Sequence, residues 1–202
     1  AVSKTQPAES VAEASRAGLV HFGENRVQEA VSKAQTLAHL PVHWHMVGHL
    51  QKNKVRPAAR CFDVIHSLDS IGLARTLNTE LARETRRINA FLQIKLTREE
   101  TRTGIVPEEL DQIADAIRQF DRIQVIGLMT IPPFTEDPAL AASYFKKLRE
   151  LRDRLNRTVF RDNLLHCLSM GMSHDVEIAI REGATHVRIG TAIFGERHVD
   201  RK

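Results

Sequence analysis

The sequence has few aromatic residues, few cysteines and no long apolar segment. Of its 202 residues, one is tryptophan, one is tyrosine and two are cysteine. So few large aromatic rings leave little surface for stacking nucleotide bases, which argues against a single-stranded nucleic-acid binder. No apolar run approaches the roughly 20 residues that span a bilayer, and no secretory signal opens the chain, so no membrane association is expected. Cys61 and Cys167 do not make a disulfide framework, which favours a reducing, cytoplasmic compartment.

The net charge of +4 does not indicate a basic patch. Lys and Arg together number 29 and Asp and Glu 25, and the two signs are interleaved, as in residues 83–87 (RETRR) and 149–154 (RELRDR). Such mixing is typical of solvated helix faces, so no nucleic-acid partner is expected. We find no linker, repeat or low-complexity segment, and 42% of the residues are hydrophobic. A chain of this length and composition predicts one globular domain covering residues 1–202.

Short apolar segments alternate with amphipathic helical patterns along the chain. The predicted strands cover residues 1–4, 19–22, 43–48, 63–67, 89–96, 123–130, 165–169 and 186–189. Alternating strands and helices predict parallel βα units, and eight such units predict an α/β protein with a single (β/α)8 TIM-type barrel. A doubly wound open sheet is the alternative. That fold ordinarily has a glycine-rich turn after its first strand, where this chain has residues 4–7 (KTQP).

The polar residues at the predicted strand ends indicate a phosphate site. In a barrel, reactive groups lie at the C-terminal ends of strands, and phosphate often binds the loops after strands seven and eight. Residues 169–173 (SMGMS) and 188–191 (RIGT) follow those two strands. Their glycines allow the backbone to approach an anion, while Ser173 and Thr191 can each donate a hydroxyl and begin a helix. One such segment would indicate only a tight turn, whereas two in adjacent loops favour phosphate binding.

Lys4, at the end of the first predicted strand, has two interpretations. It is either a surface charge or a nucleophile for an aldehyde, and a nucleophile needs a desolvated, partly cationic site that keeps the amine uncharged. Strand alternation places Arg188 near the barrel mouth and facing inward, where it can supply that positive charge. A lysine beside a phosphate site then indicates a phosphorylated aldehyde held as a Schiff base.

Six short segments form one recognisable set. They are residues 1–5 (AVSKT), 21–25 (HFGEN), 48–54 (GHLQKNK), 127–129 (GLM), 168–173 (LSMGMS) and 187–195 (VRIGTAIFG). In this order, from residue 1 to about residue 196, the chain resembles the pyridoxal phosphate homeostasis proteins, single-domain relatives of the alanine racemase N-terminal barrel. Members usually have a helix before the first strand, which this sequence does not include. Many also carry Asn at the position of Lys95 and Lys at that of Arg102, both away from the phosphate loops.

The resemblance implies pyridoxal 5′-phosphate as the cofactor. It implies that Lys4 forms the internal aldimine, that Arg188 faces the pyridine nitrogen, and that Asn25, His45 and Met129 line the ring. Residues near the phosphate would include Ser169, Ser173, Gly190 and Thr191. The full predicted cofactor-binding set is Lys4, Asn25, His45, Met129, Ser169, Met172, Ser173, Arg188, Gly190 and Thr191.

His43 and His45 share one side of a predicted strand, which is compatible with a metal site. No cysteine or carboxylate accompanies them at ligand spacing, so no metal is expected. His45 is better interpreted as a hydrogen-bonding neighbour of the cofactor.

Three functions share a Schiff-base lysine and a phosphate site. Racemisation by the related two-domain enzymes needs a second base, a tyrosine supplied with help from a further domain, and the only tyrosine here, Tyr144, falls in an outer helix. An arginine beside the ring nitrogen also weakens the ring as an electron sink. We therefore expect a monomeric carrier with little or no catalysis, which buffers pyridoxal phosphate and delivers it to apo-enzymes. The alternatives are a pyridoxal phosphate-dependent, racemase-like enzyme and a Schiff-base aldolase acting on a sugar phosphate.

Overall fold

The computed structural model describes residues 1–97, 99, 102–162 and 164–195, so residues 196–202 of the predicted domain lie outside it. Seven parallel strands form one sheet in the order of the sequence. This sequential order excludes the doubly wound alternative, in which the strand order reverses within the sheet. The strands are β1 (His21–Glu24), β2 (His43–Met46), β3 (Val64–Leu68), β4 (Ile88–Gln93), β5 (Ile123–Met129), β6 (Cys167–Met172) and β7 (His186–Arg188).

Residues 1–3 connect the last strand to the first. Val2 forms a parallel bridge with Gly23 of β1, and its amide donates to the carbonyl of Ile189, just after β7, at 2.7 Å. The amide of Ser3 donates to the carbonyl of Gly23 at 3.0 Å. The predicted first strand is therefore a short closing segment with partners on both sides, and the barrel prediction is confirmed.

Helices follow the strands around the outside of the barrel. They are α1 (Ala8–Arg16), α2 (Val27–Thr36), a 3-10 turn (Lys52–Lys54), α3 (Val55–Cys61), α4 (Ile71–Arg83), α5 (Leu110–Ile117), α6 (Pro138–Thr158), α7 (Val176–Arg181) and α8 (Thr191–Phe194). The longest, α6, is capped by Asp137, whose side chain accepts from the amide of Ala139 at 2.9 Å. In the described part of the chain, none of the helices combines the length and apolarity that a membrane crossing requires.

Two predicted boundaries near the phosphate loops were wrong. The strand expected at 165–169 runs instead as β6, because Gly171 adopts a φ of +92° at a shift in register and the strand continues past it. Ser169 consequently lies inside a strand and not in a loop. Ser173 does not begin a helix either: residues 173–175 form a turn, and α7 starts at Val176. Thr191 is the first residue of α8, as predicted.

The barrel interior combines apolar and polar side chains. Val64, Phe91 and Met129 form a small buried cluster, and the ring of His66 stacks on Phe91 with centroids 4.3 Å apart. A separate and much larger apolar cluster includes the inward faces of the helices. The polar groups inside the barrel are therefore surrounded by packed side chains, a setting that strengthens their hydrogen bonds to one another.

Candidate functional site

One cavity of about 430 Å³ gathers seven of the ten predicted site residues. Small-molecule pockets typically measure about 300–1,000 Å³, so the cavity is large enough for a cofactor-sized ligand. The predicted residues in its wall come from the closing segment, from the ends of strands and from the loops that follow them. They are Lys4, Asn25, Met172, Ser173, Arg188, Gly190 and Thr191.

The charges around this cavity favour an anionic ligand. Lys4 and Arg188 both line it, and among the described lining residues there is no aspartate or glutamate. Ser173 and Thr191, whose side chains carry hydroxyl groups, also line it. Thr191 begins α8, and the first amides of a helix lack partners within the helix, so they are available to bind an anion.

Arg188 is buried and held by two hydrogen bonds. Its Nη1 donates to Ser169 Oγ and its Nη2 to the carbonyl of Thr130, each at 2.9 Å. Burial lowers the pKa of the guanidinium to about 10, while the nearby Asp175 acts in the opposite direction. At neutral pH the side chain therefore stays cationic, although water reaches only 8% of the residue surface.

The backbone on either side of Lys4 is constrained. Ser3 is fully buried, its hydroxyl donates to Glu24 Oε1 at 2.7 Å, and its carbonyl accepts from Lys33 Nζ at 2.8 Å. On the other side, Thr5 has a φ of +66°, a left-handed conformation that is unfavourable for a β-branched residue. Such strain is typically retained at functional sites, where the surrounding structure fixes it.

The other three predicted residues do not line the cavity. Ser169 and Met129 are fully buried inside the barrel, and His45 is 7% exposed. His45 lies between His21 and His66, with ring-nitrogen distances of 3.0 and 2.9 Å. Ser169 is connected to the cavity by its hydrogen bond with Arg188. Direct contact of these three residues with a cofactor stays a prediction.

The structure also adds residues that sequence reasoning did not assign to the site. Gln93, at the end of β4, lines the cavity and donates to the carbonyl of Thr103 at 3.0 Å. Both residues also line a neighbouring cavity of about 170 Å³, whose wall includes Lys95 and Arg102. The predicted strand ran on to residue 96, whereas β4 ends at Gln93, so the sequence placed Gln93 inside a strand and gave no signal that it reaches the site.

A known family covers nearly the whole chain. The profile described as the alanine racemase N-terminal domain matches residues 1–198. A curated relative from Pseudomonas aeruginosa, named a pyridoxal phosphate homeostasis protein, is 45% identical over 197 residues, covering 98% of this chain and 83% of the relative. A relative of the same name from Aquifex aeolicus is 45% identical over 195 residues, covering 96% and 85%.

Solved structures agree with these sequence matches. PipY from Synechococcus elongatus, solved with PLP bound, has a TM-score of 0.91 and 41% identity, covering 96% of this chain and 91% of that one. The same protein without PLP gives a TM-score of 0.92. An alanine racemase from Clostridium difficile has a TM-score of 0.74 at 14% identity, covering 98% of this chain and 52% of the racemase, and so shows a shared fold alone.

Proposed function

Because this chain belongs to the alanine racemase N-terminal domain family, and within it to the pyridoxal phosphate homeostasis proteins, we propose that it binds pyridoxal 5′-phosphate and serves in its homeostasis. One observation carries the proposal: Lys4 and Arg188 line one cavity together with Ser173 and Thr191. Pyridoxal phosphate supplies an aldehyde that condenses reversibly with an amine.

Each lining residue has a role in this proposal. Lys4 is the amine that holds the aldehyde, and the constrained backbone around it fixes where that amine can reach. Ser173, Gly190 and Thr191 bind the phosphate, with the first amides of α8 contributing N–H groups. Arg188 faces the ring nitrogen, and Asn25 and Met172 complete the wall.

We propose a carrier and not an enzyme. The only tyrosine of the chain, Tyr144, lies on α6 and is not among the cavity-lining residues that are described, so it does not supply a racemase-type second base. A cation at the ring nitrogen opposes protonation of the ring, which deprives the cofactor of its strength as an electron sink. The protein would then hold pyridoxal phosphate, limit reactions of its free aldehyde and release it to apo-enzymes.

We also propose a compartment and an oligomeric state for this protein. We place this role in the cytoplasm, because Cys61 and Cys167 are both free thiols, as is typical of reducing compartments. We also infer a monomer, which sedimentation velocity of the purified protein tests directly.

The anchor residue is tested by Lys4→Ala, with Lys146→Ala as the matched control. Lys146 pairs with Glu150 on the outer helix α6. Each protein is mixed with pyridoxal phosphate, its absorbance spectrum is recorded, and it is reduced with borohydride and mapped by peptide mass. We expect a bleachable absorbance band and pyridoxyl mass on the Lys4 peptide in the wild type and in Lys146→Ala, and neither in Lys4→Ala.

Two results would overturn the proposal. Wild-type protein that takes up no pyridoxal phosphate would refute cofactor binding and leave the sugar-phosphate aldolase. Stereospecific exchange of an amino-acid α-proton in deuterated water, at ordinary enzymatic rates, would refute the carrier role and support the racemase-like alternative.

A further inference from the structure

Three histidines form a hydrogen-bonded chain through the barrel that ends at the arginine of the cavity. His21 Nδ1 lies 3.0 Å from His45 Nε2, and His45 Nδ1 lies 2.9 Å from His66 Nε2. His66 Nδ1 lies 2.9 Å from Ser169 Oγ, which accepts from Arg188 Nη1 at 2.9 Å. These five residues connect β1, β2, β3, β6 and β7 in one line of polar contacts.

The chain runs from the solvent to the buried site. His21, at the start of β1, is exposed, whereas His45, His66 and Ser169 are buried. The ring of His66 is fixed by stacking on Phe91, at a centroid distance of 4.3 Å and an interplanar angle of 20°. Arg188, at the other end, lines the cavity. None of the roles proposed above explains why imidazoles occupy the interior of the barrel.

The two inner imidazoles are neutral at physiological pH. Desolvation, followed by the positive character of His21, lowers the pKa of His45 to about 3. Burial and then the neighbouring His45 and Arg188 hold the pKa of His66 well below its ordinary value. A neutral imidazole carries one N–H, so it donates from one nitrogen and accepts at the other. In each inner ring, the nitrogen that donates determines that the other nitrogen accepts, so the donor and acceptor of one hydrogen bond fix those of the next.

Arg188 determines which atom donates in each of these hydrogen bonds. A guanidinium can only donate, so it occupies one acceptor site of Ser169 Oγ. Ser169 is fully buried, and among the described residues the other partner of its hydroxyl is His66 Nδ1. A buried hydroxyl proton without an acceptor costs about 1–3 kcal/mol, so the Ser169 hydroxyl donates to His66 Nδ1. His66 Nε2–H then donates to His45 Nδ1, and His45 Nε2–H donates to His21 Nδ1.

We propose that His66, supported by His45, is a positioning residue for Arg188. By accepting the Ser169 proton, it turns the Ser169 lone pair towards Arg188 Nη1. Together with the carbonyl of Thr130 on Nη2, this fixes the guanidinium plane from beneath the cavity. The part of the proposal that concerns cofactor affinity rests on the proposed function, whereas the direction of the chain is a property of the protein alone.

The direction is tested by ¹⁵N NMR of the imidazole and guanidinium groups in protein free of pyridoxal phosphate. We expect neutral Nε2–H tautomers for both His45 and His66, and separate, slowly exchanging Nη1 and Nη2 signals for Arg188. An Nδ1–H tautomer at His66 would overturn the proposal, because the Ser169 hydroxyl would then not donate to it.

Three variants separate positioning from simple packing. His66→Leu removes the acceptor, Ser169→Ala removes the link, and His66→Asn keeps an acceptor close to the position of Nδ1. Arg188 Nη exchange should be faster in the first two variants and close to wild type in His66→Asn. Unchanged exchange in Ser169→Ala, or equal acceleration in His66→Asn and His66→Leu, would contradict positioning through Ser169. Circular dichroism checks that each variant is folded, and if His66→Leu is not, Ser169→Ala alone decides the question.

Affinity for pyridoxal phosphate is the second measurement. We expect the pyridoxal phosphate concentration at half-saturation to rise about three- to tenfold in His66→Leu and Ser169→Ala, as for loss of one buried hydrogen bond. The rise should be smaller in His66→Asn. Unaltered affinity in all three would refute the link to the cofactor. If wild-type protein does not bind pyridoxal phosphate, the proposed function fails, while the NMR result still decides whether His66 positions Arg188.

Discussion

Lys33 Nζ lies 2.6 Å from Glu24 Oε1, and both side chains are buried. The pair joins α2 to β1, and the same ammonium donates to the carbonyl of Ser3 at 2.8 Å. Ser3 immediately precedes Lys4, so this ion pair fixes the segment that presents the proposed anchor. It is an indirect contact with the site: Lys4 and the ion pair are linked through one residue of backbone.

Breaking the pair should destabilise the protein strongly. Lys33→Met leaves the Glu24 carboxylate buried without its cation, and removing one partner of a buried pair typically costs about 3–5 kcal/mol. We expect a loss of that size in the free energy of unfolding, measured by urea denaturation. In the control Lys146→Met, which removes an exposed partner 3.9 Å from Glu150, the change should stay below about 0.5 kcal/mol. Equal effects of the two variants would show that the buried pair does not stabilise the closing segment.

The stability of the protein should decrease as the pH falls below about 6.5. The pKa of His45 is lowered to about 3 and that of His66 lies well below its ordinary value, in both cases mainly through burial. Below pH 6.5 the unfolded chain binds protons at these positions and the folded barrel does not, so acid favours unfolding. When the free energy of unfolding is plotted against pH, each of these two histidines contributes a slope approaching about 1.4 kcal/mol per pH unit.

Urea denaturation at several pH values between 7.5 and 4.5 measures this slope. His45→Asn should reduce this slope by nearly the contribution of one proton, and His39→Asn, at an exposed position, is the control in which no buried imidazole is removed. A slope that is the same in His45→Asn and the wild type would mean that His45 is protonated in the folded state.

Two glycine-to-alanine substitutions should have opposite consequences. A Cβ at Gly127 in β5 would overlap the carbonyl oxygen of Cys167 on the neighbouring β6, so Gly127→Ala must separate two paired strands. A Cβ at Gly72 in α4 would lie 3.1 Å from Lys52 Nζ, the mobile end of a side chain. We expect Gly127→Ala to lower the melting temperature by more than about 10 °C. Gly72→Ala should leave it unchanged or slightly raised, and similar melting temperatures for the two would refute the predicted clash.

Arg102 should contribute to the shape of the site through the loop after β5. Its Nη1 donates to the carbonyl of Ile131 at 2.9 Å and to that of Pro132 at 3.3 Å, and Ile131 lines the main cavity. Arg102→Lys keeps the charge but offers a single ammonium in place of the guanidinium fork. We expect the pyridoxal phosphate concentration at half-saturation, measured by absorbance titration, to rise about two- to fivefold. Lys4 should still be labelled. Unchanged half-saturation would show that the loop does not depend on this contact.

Local sequence patterns predicted the strands and helices of this protein more accurately than the residues at which they begin and end. Alternating apolar segments predicted the parallel strands, and Gly18 and Gly183, with φ of +99° and +91°, follow helical runs at positions where a left-handed glycine is common. The end of β6 was placed too early, because Gly171 was interpreted as part of the loop after the strand. Whether a glycine ends a strand or bends it depends on the neighbouring strand, which the local sequence does not contain.

By itself, the sequence determined which chemical groups this protein has and which family it resembles. The strand periodicity and the spacing of the glycine and hydroxyl residues put Lys4, Ser173, Arg188 and Thr191 at strand ends, and parallel strands bring such ends to one face of a barrel. Only the tertiary structure decided that His45 and Ser169 lie beneath the cavity and not in its wall. Their contacts, His45 with His66 and Ser169 with Arg188, join different strands. Strand alternation gives the face of each residue but not its depth in a closed barrel, because depth depends on the register between strands.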